Sequence, residues 1–446
     1  MSGHAAEAVI FGLNPLYLST ALLIVTYAVL LAEKIHRTVV ALTAAGIVVI
    51  TGLLDQAGAI ESIDFNTIAL LTGMMMIVAV LRTMGFFEYV AIWSAKTVKA
   101  DPRGVLIVLS LVTAVFSAFL DNLTTVLLVV PVALLLAEKL GVSPYPFLFS
   151  QILASNVGGT ATLIGDPPNI LIGSATSLSF VDFLVHMGPV VAITLVVLVI
   201  GFHLIWGRSL VASEKQRARI MAFREADTIT DGTLLAQSLG VLALVIGGFI
   251  VGEHFHIPPG TTAMSGAAVL LLVVGARDSM EGQSERLREV FAEVEWGALF
   301  FFIGLFVVVG GVEHAGLLNI LGAELMRATG GDPAVTTMAT LWLAAIVSAV
   351  VDNIPFVATM IPLVESMETA IGGKQALEPV WWALALGACF GGNGSLIGAA
   401  ANVMVAGLGE RAGYPITFGR FLAVGMPMML VSMVIASAYM YFRHFA

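Results

Sequence analysis

The stretch GGTATLIGDPPNILIG, residues 158–173, carries two prolines, four glycines, an aspartate and an asparagine inside a long apolar region. Glycines 158, 159 and 165 and the proline pair 167–168 cannot continue a hydrogen-bonded helix, so nearby backbone N–H and C=O groups lose their helical partners. The surrounding chain decides what that break means. Of 446 residues, 59% are hydrophobic and 11% charged, against about 25% charged in an ordinary soluble domain. Apolar runs of roughly 17–25 residues, long enough to cross a hydrocarbon core of about 30 Å, recur along the whole length. The sequence predicts an all-α polytopic membrane protein. Within it the stretch is a broken helix at membrane depth, tolerated only where protein buries it or it lines a cavity.

Ten spans are read near 16–32, 38–54, 66–84, 146–173, 187–207, 233–251, 260–276, 296–314, 380–407 and 421–441. Two more apolar stretches, 104–138 and 334–369, have Asp-Asn at the middle between arms of about 17 residues, short for two crossings and a turn. They predict re-entrant hairpins. The residues before the first span, MSGHAAEAVIFGLNP, show neither a positive n-region nor a cleavage site, which predicts a retained span. With the N-terminus outside, 17 of the 20 basic residues fall on inner segments: 33–37, Arg82, 96–103, Lys139, 208–225, 277–289 and 409–420. Arg327, Lys374 and Arg443 fall outside. This asymmetry puts both termini outside the cell's inner (plasma) membrane. The single cysteine, Cys389, excludes an intramolecular disulfide, and the net charge of −10 sits mostly in loops and identifies no ligand.

The two halves match in register. A shift of 231 residues pairs Gly73 with Gly304, Gly85 with Gly316, Asp101-Pro102 with Asp332-Pro333, Ser117 with Ser348, Asp121-Asn122 with Asp352-Asn353, and Pro131 with Pro362. After a slip of two residues, the opening stretch pairs with GGNGSLIGAAANVMVAG, residues 391–407, matching Gly158-Gly159, Leu163-Ile164-Gly165 and Asn169 to Gly391-Gly392, Leu396-Ile397-Gly398 and Asn402. The break therefore occurs twice. Each half holds five spans and one hairpin, and an odd number inverts the second half relative to the first. Residues 1–207 and 233–446 read as an inverted-topology repeat joined by a cytoplasmic linker, 208–232, a construction that places ligands near the midplane where broken helices meet.

The candidate residues follow from that architecture. Thr160, Thr162, Asn169, Asn393, Ser395 and Asn402 add side-chain donors and acceptors to the open backbone of the two breaks. Helix N-termini there favour anions or neutral oxygens, and unwound carbonyls favour cations. One isolated break reads equally well as a packing kink; two matched breaks with polar residues favour a site. At the hairpin tips, SAFLDNLTT (117–125) and SAVVDNIPF (348–356), Asp121, Asn122, Thr124, Thr125, Asp352 and Asn353 would lie deep in the membrane. An ionised carboxylate there costs at least about 2.5–3.5 kcal/mol on insertion scales. Either aspartate could carry a proton between faces, or cap the second arm of its hairpin. Asp166 has no acidic mate, because Ala399 stands at the matched position; it reads equally as a coupling-ion ligand or a helix cap. His254 and His256 in EHFHIPP, 253–259, look like a metal pair but read better as a solvated loop, so no metal site is expected. Glu313-His314 reads as a polar span end. Segments 86–100 and 315–330 are amphipathic and predicted to lie along the membrane surfaces.

At SNVGGTATLIGDPPNILI (155–172), AFLDNLTTVLLVVP (118–131), DNIPFVATMIP (352–362) and GACFGGNGSLIGAAANV (387–403), the chain resembles the ion transporter superfamily. It is most similar to the branch containing arsenite efflux permeases and the pigmentation-associated P protein. The resemblance implies a two-repeat, elevator-like carrier whose substrate site is formed by Asp121 to Thr125, Thr160 to Asn169, Asp352-Asn353 and Asn393 to Asn402. Sodium-coupled dicarboxylate carriers of the superfamily carry Ser-Asn-Thr at the tips and a threonine before the proline pair. Asp-Asn and Asp166 here depart from that pattern. The function expected is proton-coupled efflux of arsenite or antimonite, with Asp121, Asp352 and Asp166 coupling. The alternatives are sodium/proton antiport, organic-anion transport and a structural membrane protein. No cofactor, catalytic residue or nucleic-acid partner is expected. No nucleotide-binding GxxxxGK[ST] motif occurs, so an ATPase would have to be a separate subunit.

Overall fold

The computed structural model describes residues 12–32, 34–176, 178–276 and 279–446. Residues 1–11, on which the retained-span reading and the outside N-terminus rest, and Arg277 of the inner charge set lie outside them. The first half contains α1 (Pro15–Leu31), α2 (Arg37–Ile50), α3 (Gln56–Glu61), α4 (Phe65–Thr83), α5 (Phe86–Thr97), α6 (Pro102–Phe119), α7 (Asn122–Leu140), α8 (Tyr145–Gly159), α9 (Pro167–Ala175) and α10 (Phe180–Trp206), followed by α11 (Glu214–Met221) in the linker. The second contains α12 (Gly232–Gly252), α13 (Pro259–Gly275), α14 (Met280–Glu293), α15 (Trp296–His314), α16 (Leu317–Ala328), α17 (Pro333–Ser348), α18 (Asn353–Ser366), α19 (Glu368–Ile371), α20 (Lys374–Gly391), α21 (Ala400–Arg411) and α22 (Phe418–His444). All regular elements among the described residues are helical.

Seven of these helices are long and apolar enough to cross a membrane. Large apolar side chains stand exposed on two of them, Leu204 of α10 and Leu244 of α12, each 74% exposed, and on the shorter apolar α13, where Leu272 is 73% exposed. The chain is a multi-pass membrane protein.

The same caps punctuate both halves. Asp101 accepts from Gly104 N at 3.1 Å to start α6 at Pro102, and Asp332 accepts from Val335 N at 2.9 Å to start α17 at Pro333. Gly85 and Gly316 precede α5 and α16 with φ of +73° and +83°, a left-handed backbone that favours glycine. Helix pairs repeat as well: α13 packs on α4, and α2 on α15.

Several boundaries differ from the sequence reading. Helix α10 begins at Phe180 rather than 187, because Ser179 and Asp182 close a reciprocal capping box. Helix α20 begins at Lys374, where the left-handed pair Gly372-Gly373 ends the preceding turn. Arms α6 and α7 are 18 and 19 residues long, each sufficient to cross, because the turn between them takes only Leu120 and Asp121. The length argument for a re-entrant hairpin therefore holds for α17 and α18, at 16 and 14 residues, and not for this pair. Helix α5 is also not a surface rider throughout, since Phe87, Ala91 and Ala95 are buried against its neighbours.

The linker is fastened to the first half. Lys96 Nζ donates to Glu225 Oε2 at 2.5 Å and to the Phe223 carbonyl at 3.1 Å, and Arg217 Nε donates to the Lys99 carbonyl at 3.1 Å. The hydrogen bond and charge of Lys96 hold the Glu225 carboxyl below its ordinary value of 4.5. A depressed carboxyl stabilises the fold above its unfolded value, and that contribution is lost as pH falls through the lower folded one. Glu225→Gln is accordingly expected to lower the melting temperature slightly at neutral pH. The two melting curves should converge when the comparison is repeated well below pH 4.5.

Candidate functional site

Both breaks are built on one plan. Gly158, near the end of α8, lies so close to α6 that an added Cβ would stand 2.3 Å from the Ala114 carbonyl oxygen. Gly391, at the end of α20, meets the Ala345 carbonyl oxygen of α17 in the same way at 2.6 Å. Ser117 Oγ donates to the Ser155 carbonyl at 2.7 Å, and Ser348 Oγ to the Ala388 carbonyl at 2.6 Å. Each broken strand of chain is then closed by an asparagine. Asn169 Nδ2 donates to the carbonyls of Thr160 and Thr162 at 3.1 and 2.8 Å. Asn402 Nδ2 donates to those of Gly392 and Ser395 at 2.7 and 2.8 Å. These two residues satisfy backbone oxygens that the missing helix leaves open.

A carboxamide network joins the breaks to each other and to the hairpin tips. Asn156 Nδ2 donates to Asn393 Oδ1 and Asn402 Oδ1, both at 2.9 Å, and its Oδ1 accepts from Asn122 Nδ2 at 3.3 Å. Asn122 Nδ2 also reaches Asp166 Oδ1 at 3.2 Å, and Asn353 Nδ2 reaches the same oxygen at 3.4 Å. Both tip asparagines thus converge on one carboxylate. Asp166 is fully buried, and its Oδ2 has no hydrogen-bond partner. The buried Asn393 Nδ2 and Thr125 Oγ1 are unpartnered as well.

Asp166 occupies the cap position of α9, yet its side chain makes no capping hydrogen bond. Ala399 opens α21 with nearly the same backbone, φ −152° and ψ 145° against −146° and 134°. Since alanine starts the matched helix equally well, the carboxylate is not needed for that task.

The other two aspartates are engaged differently. Asp121 caps α7, accepting from Thr124 N at 2.8 Å and from the Thr124 hydroxyl. Asp352 caps α18 through Ile354 N at 3.3 Å and pairs with Arg37 Nη1 at 3.1 Å. The Thr160 and Thr162 hydroxyls are spent on the carbonyls of Asn156 and Ala118, and Ser395 Oγ accepts from Ile397 N. Of the predicted residues, Asn122, Asp166, Asn353, Asn393 and Asn402 meet in the network, while Asn169 closes its own loop and meets the Cys389 thiol. Asp121, Thr124 and Asp352 face away into caps. His254 and His256 are exposed.

Three participants were not singled out from the sequence: Asn156, Arg37 and Tyr27, whose hydroxyl donates to the Pro355 carbonyl at 2.5 Å. Asn156 carried a signal, being a polar residue two positions before the glycine pair. Arg37 was read as an inner-loop charge.

Cavities lie at opposite ends of α15. One of about 530 Å³ at its N-terminal end is lined by Arg37, Asp352, Leu123, Ile397, Met404 and Arg411, and so reaches a hairpin tip and a break. Another, of about 680 Å³ at its C-terminal end, is lined by Glu61, Ser62, Glu313, His314 and Glu365.

The profile of the citrate transporter family, CitMHS, matches residues 27–387. The chain belongs to this family. The CitMHS chain is 43% identical over 424 residues to an uncharacterized transporter of Mycobacterium tuberculosis, covering 94% of this chain and 96% of that one. It is 32% identical over 508 residues to the human P protein, covering 96% of this chain and 60% of the P protein. The crystal structure of the YdaH transporter of Alcanivorax borkumensis shares the fold, with a TM-score of 0.60 at 14% identity over 96% of this chain and 98% of that one. A transporter of the ion transporter superfamily with P protein relatives is therefore what the sequence motifs indicated.

Proposed function

We propose that this CitMHS member is a proton-coupled secondary carrier for small uncharged hydroxides of the arsenite and antimonite type. It would work by alternating access, in the plasma membrane, with both termini outside. One observation carries the reading: the network leaves unpaired both a buried acceptor, Asp166 Oδ2, and a buried donor, Asn393 Nδ2. Buried polar groups without partners are costly, so this pair favours a ligand offering O–H donors and oxygen acceptors together. A neutral hydroxide does. The matched breaks and the caps repeated between halves support an inverted repeat, in which 334–369 and 104–138 move as hairpins. The cavity beside Arg37 would then be the inner approach, and the acidic one the outer.

Sodium/proton antiport is the second reading, favoured by the same carboxylate standing among carboxamide oxygens. A citrate-like anion fits less well, because Arg37, one of the cations lining the cavity, is already paired with Asp352. Proteoliposomes under an imposed pH gradient separate the three. Arsenite or antimonite is expected to accumulate against its own gradient. Movement of sodium or citrate alone, with arsenite no faster than through empty liposomes, would overturn the assignment.

A further inference from the structure

Two matched glycines interlock the helices that frame the breaks. An added Cβ on Gly73 of α4 would stand 2.5 Å from the Ala263 carbonyl carbon of α13, and one on Gly304 of α15 would stand 2.7 Å from that of Ala41 in α2. Gly73 and Gly304 lie 231 residues apart, so Ala41 and Ala263 set the correspondence of α2 with α13 at 222 residues.

Polar side chains of this frame reach the elements that the carrier reading sets in motion. Asn66, in the first turn of α4, donates from Nδ2 to Ser174 Oγ of α9 at 2.9 Å, while its Oδ1 accepts from Gly260 N of α13 at 2.8 Å. Arg37, at the start of α2, pairs with Asp352 at the tip before α18 at 3.1 Å. The same shifts, with the slip of two residues at the breaks, carry Asn66 and Ser174 to Gly297 and Gly407, and Arg37 and Asp352 to Pro259 and Asp121. Neither counterpart can form its bond: glycine and proline bring no side-chain donor, and an added Cβ on Gly407 would find no neighbour within 4 Å outside its own helix. Burial follows the ties. Helix α9 packs on α4 and its Ile170 is 2% exposed, whereas the matched Val403 of α21 is 46% exposed and lines the 530 Å³ cavity shared with α15.

We propose that the Asn66–Ser174 and Arg37–Asp352 contacts are a one-sided latch, which holds the unloaded carrier in the conformation with α9 seated on α4 and α21 standing off α15. Alternating access between two inverted halves exchanges the surroundings of matched elements. In the exchanged conformation α21 closes on α15 and α9 leaves α4, and two glycines and a proline then offer nothing to hold it. Substrate has to offset the bonds lost, because a ligand moves a two-state equilibrium only by its difference in affinity for the two states. The latch thereby keeps an unloaded carrier from cycling.

A cysteine in place of Ile170 reports the exchanged conformation, since that position is buried while α9 sits on α4 and becomes open as Val403 is now. In purified full-length protein carrying Cys389→Ala and Ile170→Cys, a water-soluble methanethiosulfonate reacts at a rate that follows access to the sulfur. Ser174→Ala keeps the Asn66–Gly260 bond and cuts only the latch. It should speed labelling about fivefold, the factor that one net hydrogen bond makes in an equilibrium. Arg37→Ala should also speed it, and the two effects should multiply because the contacts share no partner. Gly297→Asn with Gly407→Ser installs the missing tie between α15 and α21, and should speed labelling of Ile170→Cys by about fivefold although it alters nothing in α9. Unchanged labelling in the two cut variants would overturn the latch. Unchanged labelling in the glycine variant would overturn it too, because a rise confined to the cut variants is local loosening. The inference rests on the alternating-access reading above, but the labelling needs no substrate: a wrong substrate assignment leaves it standing, and unchanged labelling in a protein that transports refutes the latch alone.

Discussion

Asp166→Asn is expected to abolish proton-driven accumulation, lowering the gradient-driven substrate ratio by up to ~100-fold, the upper range of coupling free energies between two sites. Asparagine has the shape of a protonated aspartate and cannot release a proton. Its Oδ1 can still accept from Asn122 and Asn353, which now meet on Asp166 Oδ1 at 3.2 and 3.4 Å, so both hairpin tips keep their anchor. Substrate counterflow, which needs no net proton movement, should therefore persist in the variant. The two assays together separate loss of coupling from loss of the fold. Accumulation at the wild-type level would move the coupling role to Asp121 or Asp352.

Those two aspartates should respond differently. Asp121 caps α7, and asparagine is an equally good cap, so Asp121→Asn should impair coupling less than Asp166→Asn. Asp352→Asn removes the charge with which Arg37 pairs at 3.1 Å, and so disturbs the wall of the cavity that both line. Its effect should lie between the other two.

The positions of the breaks, the hairpin tips and the repeated caps were legible in the sequence because glycine, proline and Asp-Pro pairs act locally through backbone geometry. A fixed register then paired them across the halves. What was not legible is direction. Inside a break the chain has no helical period, so spacing does not say whether Thr162 faces a ligand or, as it does, the Ala118 carbonyl. Asn169 and Asn402 illustrate the same limit: both lie at the breaks, but their amide donors are committed to the loops themselves. Arg37 opens α2, 315 residues from its partner and beyond any local pattern. Asn156 was hidden by the very repeat that exposed the rest. Its counterpart is a cysteine, and a comparison that rewards identity passes over a position where the halves differ.

The commitment of those two asparagines leads to the largest expected loss of stability. Asn169→Ala removes the donor shared by the carbonyls of Thr160 and Thr162, in a loop where every residue from Thr160 to Ile164 is buried. Leaving a buried polar group unpaired costs about 1–3 kcal/mol, so two such carbonyls lose roughly 2–6 kcal/mol together. Asn402→Ala removes the donor to Gly392 and Ser395 and also an acceptor of Asn156, whereas the Ser395 carbonyl keeps a bond from Gly398 N at 3.3 Å. The two losses are therefore comparable in size. They differ in reach: Asn402 is bonded to Asn156 and through it to Asn122 and Asp166, while Asn169 meets the opposite half through the Cys389 thiol. Melting of the purified variants in detergent should show both strongly destabilised. Hydrogen exchange should show Asn169→Ala loosening residues 158–173 alone and Asn402→Ala loosening both breaks. Equal, purely local loosening in the two variants would mean that the carboxamide network does not join the halves, and that each break stands on its own backbone.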